Sequence, residues 1–197
     1  MLYLILTLVL TLLGAFTFLP NFKGAIERNS TGINFFLTLI ATLIGVLLAI
    51  SITDYENKQK EQQDVIKLLN SAITSVDTCY DYSEELIEYF AQLPPDDGSK
   101  LNFYEKNPPP YPDYLDTFLM QTLVSKNLSG STLNKLNENL INLKRSRSHN
   151  AQLYLYLLAQ TLKLLELEVA FQSGTINQEQ LTTQSDLLKA TLPAIGQ

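Results

Sequence analysis

Apolar residues along this chain follow three patterns. From Leu2 to Leu19, and again from Ile33 to Thr53, they run almost unbroken and without a charged side chain. From Val65 onward they recur every three or four residues among polar ones. Between these regimes lies 54–64, polar all round except for Tyr55. Nowhere do they alternate with the period of two that a half-buried strand requires, so the fold class is expected to be all-α.

The two unbroken runs predict helices over about 2–19 and 33–53. The first is 18 residues long and the second about 21. At ~1.5 Å per residue, roughly 20 residues cross a hydrocarbon core of ~30 Å. A cleaved signal peptide is the rival reading for the first run. It needs a basic segment before the apolar stretch, and no Lys or Arg precedes position 23. The 13 residues from Pro20 to Gly32 are short enough for a two-helix transmembrane hairpin. Each run carries small residues at a spacing of four: Thr7, Thr11 and Ala15 with Gly14 beside them, and Ala41, Gly45 and Ala49. Such faces let helix backbones approach closely in lipid, either within the hairpin or between copies.

The remaining helices are predicted over about 54–93, 113–126, 131–172 and 176–192, with a loop over 94–112. The first continues the second apolar run as a polar stalk, because no Gly or Pro intervenes. It then turns one apolar face inward through Val65, Leu69, Ala72, Val76, Tyr80, Ile87 and Phe90, and stops at Leu93 before Pro94-Pro95. Asp113 caps the second, with Leu115, Phe118, Leu119 and Leu123 inward. Ser131 caps the third, whose seam Leu133, Leu136, Leu140 and Leu143 resumes one residue out of register at Leu155, Leu158, Leu162, Leu165 and Val169. One long helix is favoured there over two meeting at a hinge, and Ser173-Gly174 ends it. Thr175-Ile-Asn-Gln178 reads as the capping box of the last helix.

Charge divides the chain in the same way. Residues 1–53 hold three charged side chains, Lys23, Glu27 and Arg28, whereas 54–197 hold 12 basic and 19 acidic ones, a formal charge of −7. An acidic soluble part repels a phosphate backbone, so no nucleic-acid partner is expected. Three lysines (58, 60 and 67) follow the second run, against Lys23 and Arg28 in the linker. This is a weak orienting signal, and a cytoplasmic soluble domain on a two-pass protein of the inner (plasma) membrane is the preferred topology.

Candidate chemistry is sparse. One cysteine, Cys79, and one histidine, His149, leave no ligand set for a Cys- or His-based metal site and no disulfide. Asp77, Asp81, Glu84, Glu85 and Glu88 share one side of a helix and read as a solvated acidic face. Pro109-Pro110-Tyr111 resembles a short docking motif but reads as a packed surface loop. Lys144, Arg145, Arg147 and His149 form the one dense basic cluster. They are candidates for contact with an anion or lipid headgroup, or for pairing with that acidic face. No phosphate-binding or nucleophile motif is present. No catalytic residue, cofactor or metal is therefore expected.

The expectation is a membrane-anchored, non-enzymatic helical interaction or scaffold protein. Its partners would be the lipid bilayer and either further copies of itself or a membrane complex. The layout also resembles small bacterial membrane proteins with two N-terminal helices and a helical cytoplasmic part. Some of those are membrane-disrupting defence effectors, which makes a regulated pore the alternative. That likeness is architectural and assigns no residue.

Overall fold

The computed structural model describes residues 2–16 and 30–190, and these are helical with no strand among them. The helices are α1 (Leu2–Phe16), α2 (Ser30–Gln92), α3 (Phe103–Lys106), α4 (Tyr114–Met120), α5 (Thr122–Asn127), α6 (Gly130–Ser146), α7 (Ala151–Gln172) and α8 (Gln178–Ala190). Residues 17–29, which hold the expected end of the first helix and most of the linker, and residues 191–192 lie outside the described residues; Ser30, Thr31 and Gly32, expected in the linker, already form the first turn of α2. The chain divides into two compact units, Met1–Lys60 and Glu61–Gln197. The sequence reading put this division at 53/54. Helix α2 is continuous across both, 63 residues without a break.

In the first unit, α1 meets the N-terminal part of α2 where a Cβ on Gly14 would lie 3.9 Å from Ile40 Cγ2. Thr7, Ile40 and Leu47 are buried. The remaining apolar surface is bare: Ile5, Leu8 and Leu12 on α1, and Phe35, Leu39, Leu43, Val46 and Ile50 on α2, with Phe35 at 72% exposure. One described helix is long and apolar enough to cross a membrane, and its span begins at Thr31. The 15 described residues of α1 are apolar but cover only ~22 Å at ~1.5 Å per residue.

The second unit is a bundle around α7. Residues 65, 69, 72 and 76 of α2 are fully buried, as their spacing predicts, and Cys79 rather than Tyr80 continues the stripe. Against them pack Leu115 and Phe118 of α4, Val124 of α5, Leu136, Leu140 and Leu143 of α6, and Tyr154, Leu157, Leu158, Leu164 and Leu165 of α7. Burying a Leu or Phe side chain contributes about 1.5–3 kcal/mol, so this cluster dominates the stability of the unit.

The structure corrects four local expectations. The helix over 131–172 is two helices, broken at 147–150. Asn150 leaves helical geometry (φ −147°, ψ 90°), and its side chain accepts from Leu153 N at 2.9 Å, starting α7 afresh. The one-residue slip of the apolar seam marks this break. The cap of α6 is Ser129, not Ser131, with its Oγ accepting from Thr132 N. The reciprocal capping box of α8 is Asn177 with Gln180, each side chain accepting the other's backbone N–H at 2.9 Å, rather than Thr175 with Gln178. The helix over 113–126 breaks at Gln121 (ψ 130°), and Asp113 stands at the N-cap of α4 without a side-chain capping bond.

The 94–112 segment is structured too. A 3₁₀ turn at Gly98–Lys100 and α3 fold onto the end of α2, where Phe103 stacks on Phe90 with ring centroids 5.1 Å apart. Gly174 takes the left-handed conformation (φ 76°) that ends α7, as expected from Ser173-Gly174.

Candidate functional site

The basic cluster at 144–149 occupies the end of α6 and the turn into α7, and the fold sorts its side chains into two groups. Lys144 and Arg147 hold the proline loop. The Arg147 Nε donates to the carbonyl of Pro109 at 2.6 Å. The Lys144 ammonium pairs with Asp116 at 2.9 Å and sits 5.4 Å from the centroid of the Tyr111 ring. Tyr111 donates its hydroxyl to the same carboxylate at 3.3 Å, and Tyr154 donates to the carbonyl of Pro110 at 2.6 Å. With Pro109 and Pro112 buried and Tyr111 half-buried, Pro109-Pro110-Tyr111 is packed as the loop reading expected. Asp116, not the acidic face of α2, supplies the partner of Lys144. Asp77, Asp81, Glu84, Glu85 and Glu88 are all exposed, and no group of metal-ligating residues gathers among the described residues.

Arg145 and His149 face elsewhere. With Asn142, Ser146, Asn150, Leu153 and Leu157 they line a groove of about 440 Å³. Its floor is apolar, formed by Leu157, which is buried, and Leu153, which is half-buried. A smaller cavity of about 70 Å³ shares Asn142 and Leu157 with it and runs on beneath α8, bounded by Lys135, Gln160 and Leu188. Lys135 bonds Ser185 and Asp186, and Gln160 donates to the Leu188 carbonyl, so α8 closes that end. The guanidinium of Arg145 has no acceptor among the described residues, whereas Lys67, Lys126, Lys135, Lys144 and Lys163 each face a carboxylate. His149 has Ser148 Oγ 3.2 Å from its Nδ1.

Two buried groups complete the polar chemistry of the bundle, and the first is missed in the sequence. Glu168 is fully buried on α7. Its carboxylate accepts from Ser129 N at 3.0 Å, Ser129 Oγ at 2.9 Å and Gln172 Nε2 at 2.9 Å. Gln172 Nε2 also donates to the Asn127 carbonyl at 2.8 Å, and Gln62 of α2 donates to the Gln172 carbonyl. The network ties the α5–α6 corner to α7 and α2. The apolar spacing read along α7 does not mark it: position 168 lies beside Val169 of that seam, and the fold turns it inward.

The other group surrounds Cys79. Burial pushes its thiol up, the negative charge of Asp113 adds to this, and Arg147 opposes it. A thiol held protonated, with His149 exposed on a different surface, is no activated nucleophile. Burial likewise pushes the hydroxyls of Tyr111 and Tyr154 well above the ordinary tyrosine range.

The small-residue faces are also sorted. Thr7 is buried and Gly14 lies against Ile40, so these two serve the contact of α1 with α2. Thr11, Ala15, Ala41, Gly45 and Ala49 are exposed, and a Cβ on Gly45 would meet nothing within 4 Å. The hydroxyls of Thr38 and Thr42 donate to carbonyls four residues back in their own helix. No protein-family model, curated protein or solved structure matches this chain.

Proposed function

We propose that this chain is a membrane-anchored, non-enzymatic interaction protein. Its helices α1 and the first part of α2 form a two-pass hairpin, and its bundle is cytoplasmic. One observation carries the reading. Among its described residues, the unit Met1–Lys60 buries a narrow seam and leaves large side chains bare all round, including Leu8 at 64% exposure. Soluble monomers rarely expose contiguous apolar patches beyond a few hundred Å², whereas lipid tails are the natural neighbours of such a surface. The bundle supports the non-enzymatic part. Its polar clusters fasten loops and corners, and its one thiol is buried and protonated. The test is alkaline carbonate extraction of membranes from cells making the full chain, followed by cross-linking of intact membranes. Retention in the pellet with a discrete cross-linked oligomer or a partner is expected. Release into the supernatant contradicts the anchor, and a strictly monomeric, partnerless protein contradicts the interaction role.

The exposure of Ala41, Gly45 and Ala49 favours a second reading, a regulated pore or membrane-disrupting effector. A small-residue face that α1 does not cover can seat the helix of another copy. Membrane-potential dye uptake on induction tests it. Depolarisation that disappears in Gly45→Leu supports the pore, and unchanged potential under every condition of expression removes it.

A further inference from the structure

We infer that the groove between the end of α6 and the start of α7 binds a small, water-soluble organic phosphate carrying an apolar or aromatic moiety. Three polar side chains converge on its rim from one face of α6 and the turn after it: Asn142, Arg145 and His149. Asn142 and Arg145, three residues apart, share one face of α6, and the turn after the helix brings His149 to the same groove. The Asn142 amide and the Arg145 guanidinium make no side-chain bond within the described residues, although the bundle carries an excess of carboxylates. Lys144 and Arg147, one and two residues away, are both engaged. An unpaired guanidinium fork beside an imidazole and an amide offers donors in several directions, which suits the oxygens of a phosphoryl group. The first turn of α7 opens beside the groove, its Ala151 and Gln152 N–H groups lacking intrahelical partners and adding positive potential.

The floor explains the rest of the ligand. Leu153 and Leu157 offer apolar contact next to the charged rim, which a bare inorganic anion cannot use. At about 440 Å³ the groove falls within the ordinary range for small-molecule sites, about 300–1,000 Å³. Two leucine side chains make too small an apolar floor to shelter two acyl chains, which favours a soluble ligand over a phospholipid.

The test titrates the full chain, in nanodiscs of neutral lipid, with phenyl phosphate and separately with inorganic phosphate by calorimetry. Phenyl phosphate is expected to bind at least fivefold tighter than inorganic phosphate. Arg145→Gln, an exposed position, should weaken it at least tenfold, while Lys106→Gln, an exposed cation elsewhere on the bundle, should change it less than twofold. Absence of phenyl phosphate binding, equal affinity for both probes, or equal effects of the two substitutions overturns the site. Nanodiscs containing phosphatidic acid separate the ligand sources. Unchanged phenyl phosphate affinity supports a soluble ligand, and loss of binding there assigns the groove to lipid headgroups and overturns it.

Discussion

Helix α2 carries two opposite relations to its surroundings in one unbroken element. Before Thr53 its apolar side chains point outward at nearly every turn. After Val65 they form a single stripe, Val65, Leu69, Ala72 and Val76, with no exposure, while Asp77, Asp81, Glu84 and Glu88 face out. Backbone geometry is the same in both halves, so it cannot be what distinguishes them. What differs is the number of faces that avoid water. A one-face pattern needs a protein partner along one side. An all-round pattern suits an apolar medium, since no neighbour among the described residues covers more than a seam of it.

The largest expected effect lies in the second half. Leu69→Ala removes a fully buried side chain at the centre of the bundle and should cost about 2–5 kcal/mol, read as a lower thermal midpoint by circular dichroism. Leu43→Arg sharpens the contrast in the first half. It should raise the cost of membrane insertion by about 3–4 kcal/mol in a glycosylation-reporter assay, the difference between an arginine and a leucine at the middle of a span. The exposed Thr74→Arg in the second half should shift bundle stability by only about 0.5 kcal/mol or less. If Leu43→Arg is as silent as Thr74→Arg, the two halves share an aqueous environment.

Smaller effects come from the polar ties of the bundle. Glu168→Ala leaves the buried Ser129 N–H and one N–H of the Gln172 amide without an acceptor and should cost roughly 2–3 kcal/mol. Glu168→Gln, which keeps an acceptor, should cost less, and equal losses would show that the hydrogen bonds are not the cause. Tyr154→Phe should cost about 1 kcal/mol by removing the bond to the Pro110 carbonyl. It also bears on pH. The hydroxyls of Tyr111 and Tyr154 titrate higher folded than unfolded, so their contribution is intact below the ordinary tyrosine value of about 10 and is lost as pH climbs beyond it. Urea midpoints should therefore fall between pH 9 and 11, and fall less in Tyr154→Phe.

The helices and the inward face of α2 were legible because burial imposes a period, whereas on α7 only Leu158 and Leu165 of the expected seam are buried and Leu155, Leu162 and Val169 are half-buried. The α2 stripe, the stop at Pro94 and the end at Gly174 all rest on neighbouring residues. What the sequence hid depends on partners far along the chain. Ser129 was passed over for Ser131 as a cap, since either fits the local pattern. The carboxylate of Glu168, 39 residues on, engages Ser129. The basic cluster looked uniform because three cations and a histidine in six residues carry no mark of which will meet a carbonyl 38 residues back. The fold gives Arg147 to Pro109 and leaves Arg145 to the groove. The break at 147–150 was half visible. The register slip is a sequence signal, but with no Gly or Pro there the stop rests on the Asn150 cap, which the local pattern does not announce.

The most direct test of the contrast within α2 is spin-label accessibility in liposomes. Nitroxides are placed singly at Leu43→Cys, Val46→Cys and Gln63→Cys in a Cys79→Ser background, all three being exposed positions. Positions 43 and 46 should collide readily with oxygen and hardly at all with a water-soluble nickel chelate, and position 63 should show the reverse. Equal access of the chelate to 43 and 63 would contradict a lipid setting for the apolar half.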